Sequence, residues 1–138
     1  TYSVVTEDQA SPLSNSNDTK ITAYKDSTMP VILANEFGEP ILLGRKFSGD
    51  TSADISLESS AELFLLRSSI FFGVKIKDDK ELSKRIRNHS KFPELVELLK
   101  KQINTSPCPM SHECSPTSSR LANKISKEIQ VEDLLEGE

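Results

Sequence analysis

Large apolar side chains gather between residues 21 and 103 and thin out on either side. Three short runs within that stretch read as strands. Residues 21–25 alternate Ile21, Ala23 and Lys25 against Thr22 and Tyr24, Val31-Ile32-Leu33-Ala34 is a compact run after Pro30, and Ile41-Leu42-Leu43 follows a connector that contains Gly38. Two apolar runs joined by such a connector predict a hairpin. The connector is longer than the favoured two-residue turn. Gly49-Asp50-Thr51-Ser52 reads as a loop.

The period then changes. Leu57, Ala61, Phe64 and Leu65 recur at helical spacing. Ser59 followed by Glu62 has the form of a capping box, with Asp54 and Ser56 competing for the cap one turn earlier. This helix is expected to stop near Ser68-Ser69. Ile70, Phe72, Val74 and Ile76 next alternate with Phe71, Gly73 and Lys75, the pattern of a fourth strand. Asp78 or Asp79 can cap a helix through Leu82 and Ile86, with acids at its start favoured by the helix dipole. Pro93 opens another helix through Leu95, Leu98, Leu99 and Ile103, because the N–H it lacks has no internal partner in a first turn. The predicted order is β-β-β-α-β-α-α, an α+β fold in which a small mixed layer of about four short strands meets two to three helices.

Charge and composition sharpen this division. The chain has 138 residues and a formal net charge of −4, distributed as −2 over residues 1–20, +1 over 21–103 and −3 over 104–138. Only the middle segment has the apolar content to offset chain entropy. The expected organisation is a flexible N-terminal tail (1–20), a small α+β core domain (21–103), and a Pro/Ser-rich linker with a short C-terminal amphipathic helix (104–138). In that last segment Leu121, Ile125 and Ile129 recur every four residues before Leu134-Leu135. No run approaches the ~20 apolar residues that cross a bilayer, so no membrane contact is expected. The chain begins at Thr1 and reads as a processed chain or a piece of a longer one. Asn-x-Ser/Thr sequons at Asn17, Asn88 and Asn104 would suit secretion, yet they arise by chance in a Ser-rich chain. Two cysteines are too few for a disulfide framework. An intracellular source, nuclear or cytoplasmic, is the expectation.

The chemistry-bearing patterns are sparse. Cys108, His112 and Cys114 form C-x₃-H-x-C but lack a fourth zinc ligand, so no metal is expected. Reduced thiols in a mobile tail are the plainer reading, and a reversible disulfide is an alternative. The two histidines offer no base held near a nucleophile by a third group. Asp78, Asp79 and Glu81 are accounted for by the helix dipole, and Gly38, Gly44 and Gly49 are too dispersed for a phosphate loop. A non-enzymatic protein without cofactors is expected.

Residues 75–91 hold seven Lys/Arg against three acids. Lys84, Arg85, Arg87 and Lys91 can form a basic patch suited to phosphates or an acidic partner, unless they are simply a solvated helix face. Nucleic acid is the weaker partner, since Phe92 alone is available for stacking and the chain is acidic. Leu95, Leu98 and Leu99 fit L-x-x-L-L, which docks in hydrophobic grooves but also occurs in core helices. Leu121, Ile125, Leu134 and Leu135 can dock a partner or fold back onto their own core. Ser-Pro pairs at Ser11, Ser106 and Ser115 invite proline-directed phosphorylation. These features together predict a protein–protein interaction module of a regulatory or assembly protein, with a phosphate or nucleic-acid contact module over residues 75–91 as the alternative.

Overall fold

The hairpin expected from the two apolar runs organises the fold. In the computed structural model, which describes residues 2–6, 10–12, 28–67, 71 and 75–135, β3 (Met29–Ala34) pairs antiparallel with β4 (Pro40–Lys46). The turn between them is closed by Asn35, whose Oδ1 accepts from the N–H groups of Phe37 and Glu39 at 2.9 and 3.0 Å. Gly38 sits there at φ +79°, a backbone conformation that costs glycine little. The strands β1 (Ser3–Val5), β2 (Ala10–Pro12) and β5 (Asp54–Ile55) complete an antiparallel sheet of order β2-β1-β3-β4-β5. Gly44 marks where β5 crosses close to β4. A Cβ added there would lie 2.1 Å from the Asp54 carbonyl oxygen.

The helices follow the strands: α1 (Leu57–Leu66), α2 (Asp79–Arg87), α3 (Phe92–Thr105), α4 (Pro116–Glu128) and a 3₁₀ turn at Glu132–Leu134. The fold is thus α+β: α1 packs on the antiparallel sheet, and α2, α3 and α4 pack on α1. Ser56 caps α1 in a reciprocal box with Ser59, one turn before the Ser59–Glu62 alternative. Ser59 instead lies inside the helix at its third position, where its hydroxyl accepts from the Ser56 N–H at 2.7 Å. Asp78 caps α2 through the Glu81 N–H, and Pro93 occupies the first turn of α3, both as the sequence predicts.

The core joins Leu43 of β4 to Phe64 and Leu65 of α1, Leu82 and Ile86 of α2, Leu95 and Leu99 of α3, and Ala122 and Ile125 of α4. It therefore runs past residue 103. The C-terminal segment expected as a linker and helix supplies part of this interior, and residues 3–5 and 10–12, expected in a flexible tail, are strands. The expected strand at residues 21–25 lies outside the described residues. So does most of the one at 70–76: Phe71 is buried in a turn, and Ile76 forms a single antiparallel bridge to Leu135. Among the described residues no helix is long and apolar enough to cross a membrane.

Candidate functional site

The geometry of the sheet and helices brings a carboxylate into the interior. Glu62 of α1 is 2% exposed, facing Arg45 of β4 on one side and Ser83 and Arg87 of α2 on the other. A carboxylate taken out of water is tolerated only when paired and hydrogen-bonded. Here Arg45 Nη2 reaches Oε2 at 2.5 Å, Arg87 Nε reaches Oε1 at 2.8 Å, and the Ser83 hydroxyl donates to Oε1. Three donors from two elements, β4 and α2, hold the one acid. Burial pulls the Arg87 guanidinium down, but the hydrogen bonds and charges of Glu62 and Asp54 outweigh it and raise Arg87 above its ordinary range.

Above this network opens a cavity of about 480 Å³ between the β4–β5 connection, α1 and α2. Its walls hold four cations, Arg45, Lys80, Lys84 and Arg87, against three carboxylates, Asp50, Asp54 and Glu62. Two of the pairs are exposed: Lys80 to Asp50 at 3.2 Å and Arg87 Nη2 to Asp54 at 3.1 Å. The Arg45 guanidinium lies 4.5 Å over the Phe47 ring, and its Nε is buried without an acceptor. Lys84 is exposed and forms no ion pair with the described residues.

The basic patch expected from residues 75–91 is divided among different surroundings. Lys84 and Arg87 face the cavity. Arg85 turns away and grips Asp133 with two hydrogen bonds of 2.8 Å, while also meeting Glu81 and the Gln130 carbonyl. That grip holds the Asp133 carboxyl down at about 2 and raises Arg85 well above its ordinary value. Lys91 lies beside Lys124, whose charge disfavours a second ammonium and lowers Lys91. Arg45 and Glu62 escaped the sequence reading, although a signal existed. Arg45 falls in phase with Ile41 and Leu43 along β4, and Glu62 interrupts the apolar run Ala61, Leu63, Phe64, Leu65.

Most of the residues weighed for hydrophobic docking are turned inward, the alternative in which these stripes pack within the chain. Leu95, Leu99 and Ile125 are fully buried, Leu134 nearly so, and Leu98 and Leu121 are half-buried. Of the set, Leu135 is the exposed member. The reason is geometric: α3 and α4 both pack against α1, so each apolar stripe meets another within the chain.

The thiols expected to be free are joined. Cys108 and Cys114 form a disulfide with Cα atoms 6.0 Å apart. Within the loop it closes, His112 stacks on Phe64 with ring centres 4.0 Å apart. His112 Nε2 donates to the Phe64 carbonyl at 2.6 Å, and Nδ1 accepts from the Ser119 hydroxyl at 2.7 Å. In this form neither sulfur is the thiolate that binds zinc, and both imidazole nitrogens are engaged in hydrogen bonds. Ser115 is buried under Gln102, whereas Ser106 is half-buried at the end of α3. No family model, curated protein or solved structure matches the chain.

Proposed function

We propose that this chain is a non-enzymatic protein–protein interaction module that docks an acidic segment of its partner in the cavity above Arg45, Glu62 and Arg87. One observation carries the reading. In an acidic chain, this cavity has more cations than carboxylates, and Lys84 on its wall forms no ion pair among the described residues. The volume falls within the roughly 300–1,000 Å³ usual for ligand sites.

The division of the basic patch favours a local acidic group over a nucleic-acid backbone. A duplex or single strand needs cations spaced along successive phosphates. Arg85 is instead committed to Asp133, and Lys91, at the start of α3, lies beside Lys124 and does not line the cavity. Phosphorylation, if it regulates docking, fits Ser106 better than Ser115, since Ser115 is already buried by Gln102.

Calorimetric titration with an oligoglutamate peptide tests the reading. Binding is expected at low salt, weakening as salt rises and lost in Lys84→Glu. No binding at low salt, or equal binding by Lys84→Glu, overturns it.

A further inference from the structure

We infer that the group this cavity selects is a phosphate monoester, and that Asp50 and Asp54 occupy its place in the free protein. The inference rests on the docking reading above and names the chemistry of the docked group.

The two kinds of carboxylate in the cavity are held differently. Glu62 is 2% exposed and bound by two guanidinium groups and the Ser83 hydroxyl, so it is part of the floor. Asp54 is 56% exposed and meets a single nitrogen of Arg87, and Asp50 meets a lysine that is itself 60% exposed. Such exposed pairs contribute little, typically about 0–1 kcal/mol. A competing anion displaces them at small loss, whereas displacing Glu62 would strand two arginines.

Displacement also changes the charge. With Asp50 and Asp54 turned out to solvent, Lys80, Lys84, Arg87 and Arg45 oppose Glu62 alone, which suits a dianion better than a single carboxylate. A phosphate monoester carries close to two charges at neutral pH and three terminal oxygens. Those oxygens can take charge-assisted hydrogen bonds from Arg87 Nη2, Lys80 and Lys84, all on residues that line the cavity. A carboxylate has only two oxygens in one plane, and the structure already places one, Asp54, in a loosely held pair. A phosphodiester has one charge per phosphate and two free oxygens, and the divided patch offers it no continuation.

Titrations followed by calorimetry and by ¹H–¹⁵N NMR test this, using inorganic phosphate, a phosphoserine peptide, the same peptide with Glu in place of phosphoserine, and an oligothymidylate. The phosphopeptide should bind about tenfold or more tightly than its Glu counterpart, the difference expected for one further charge-assisted hydrogen bond. Lys84→Gln should weaken phosphopeptide binding by about tenfold. Asp54→Asn, which removes the internal competitor, should tighten it. Both positions are exposed, and circular dichroism verifies that each variant is folded.

Inorganic phosphate binding as tightly as the phosphopeptide would support the free ion as the source; tighter binding of the peptide would support a phosphorylated side chain. Equal affinity for the Glu peptide, weaker binding by Asp54→Asn, or preference for the oligothymidylate overturns the phosphate-monoester inference. Binding of oligoglutamate without any preference for phosphate leaves the docking reading standing and removes this one. Absence of binding by either anion at low salt removes both.

Discussion

Two residues that the hydrophobic pattern treats as interruptions, Arg45 and Glu62, organise the molecule's most polar interior. Removing one member of a buried ion pair leaves the other charge uncompensated, at a typical cost of about 3–5 kcal/mol. Glu62→Ala strands both Arg45 and Arg87 and is expected to destabilise the fold by about 3 kcal/mol, because part of the Arg87 charge can return to water. A urea midpoint that barely moves would show that the network is dispensable. Asp133 makes a second prediction at this scale. Its carboxyl is held at about 2 by Arg85, below the ordinary 3.8, so folding favours the ionised form. The contribution is present above the ordinary value and disappears as pH falls through the folded one. The stability difference between the native protein and Asp133→Asn should therefore vanish on acidification from pH 4 towards pH 2. A difference that is constant across this window would contradict the pairing. Composition and periodicity cannot reveal either pair, since each joins residues distant in sequence. What was legible was only that Arg45 and Glu62 stand in apolar phase.

At the scale of elements, the sheet is sealed by serines of the first helix. The Leu43 N–H donates to Ser60 Oγ at 2.8 Å, and the Leu43 carbonyl accepts from Ser59 and Ser60. These bonds replace a neighbouring strand at that point on β4, since β5 reaches only Gly44 and Arg45. Ser60→Ala leaves the buried Leu43 N–H without an acceptor, which costs roughly 1–3 kcal/mol. Amide exchange at Leu43 should quicken in that variant; unchanged protection would mean the bond is not the one holding the edge. The same serines explain why α1 begins where it does. A local capping rule favours Ser59 with Glu62, yet tertiary bonds engage both side chains. The hairpin, α2 and α3 were legible because their signals are local: an Asn-Gly turn region, an Asp cap, a first-turn proline. The sequence marked an amphipathic helix after residue 103 but left open whether it docks back onto the core, for a physical reason. Pro107, Pro109 and Pro116 separate it from α3 in sequence, but they do not separate it in space.

At the scale of the whole molecule, a short disulfide closes the connection through which the C-terminal quarter of the chain joins the core. Cys108 and Cys114 close the connection between α3 and α4, and inside that loop Pro109 and Met110 are buried while His112 stacks on Phe64. Gln102 reinforces it by donating to the Pro109 carbonyl and the Ser115 hydroxyl. Closing so small a ring lowers unfolded-state entropy by an amount worth about 2 kcal/mol. The loop's packing supplies a separate contribution that survives reduction, because Met110 and His112 still have the same partners. Reduction by a dithiol is therefore expected to lower the unfolding free energy from urea titration by about that amount while α4 remains packed on α1 and α3. The double variant Cys108→Ser, Cys114→Ser should match the reduced protein and respond no further to reductant. Loss of amide protection throughout α4 on reduction would show instead that the bond, and not the packing of Ala122 and Ile125, holds the segment in place. The same bond bears on where the chain resides, since disulfides persist mainly in oxidising compartments. Alkylating free thiols at the moment of extraction from the native source distinguishes the cases. A blocked Cys108–Cys114 pair would contradict the intracellular source expected from the sequence, and two alkylated thiols would place the reduced, slightly less stable form in the cell.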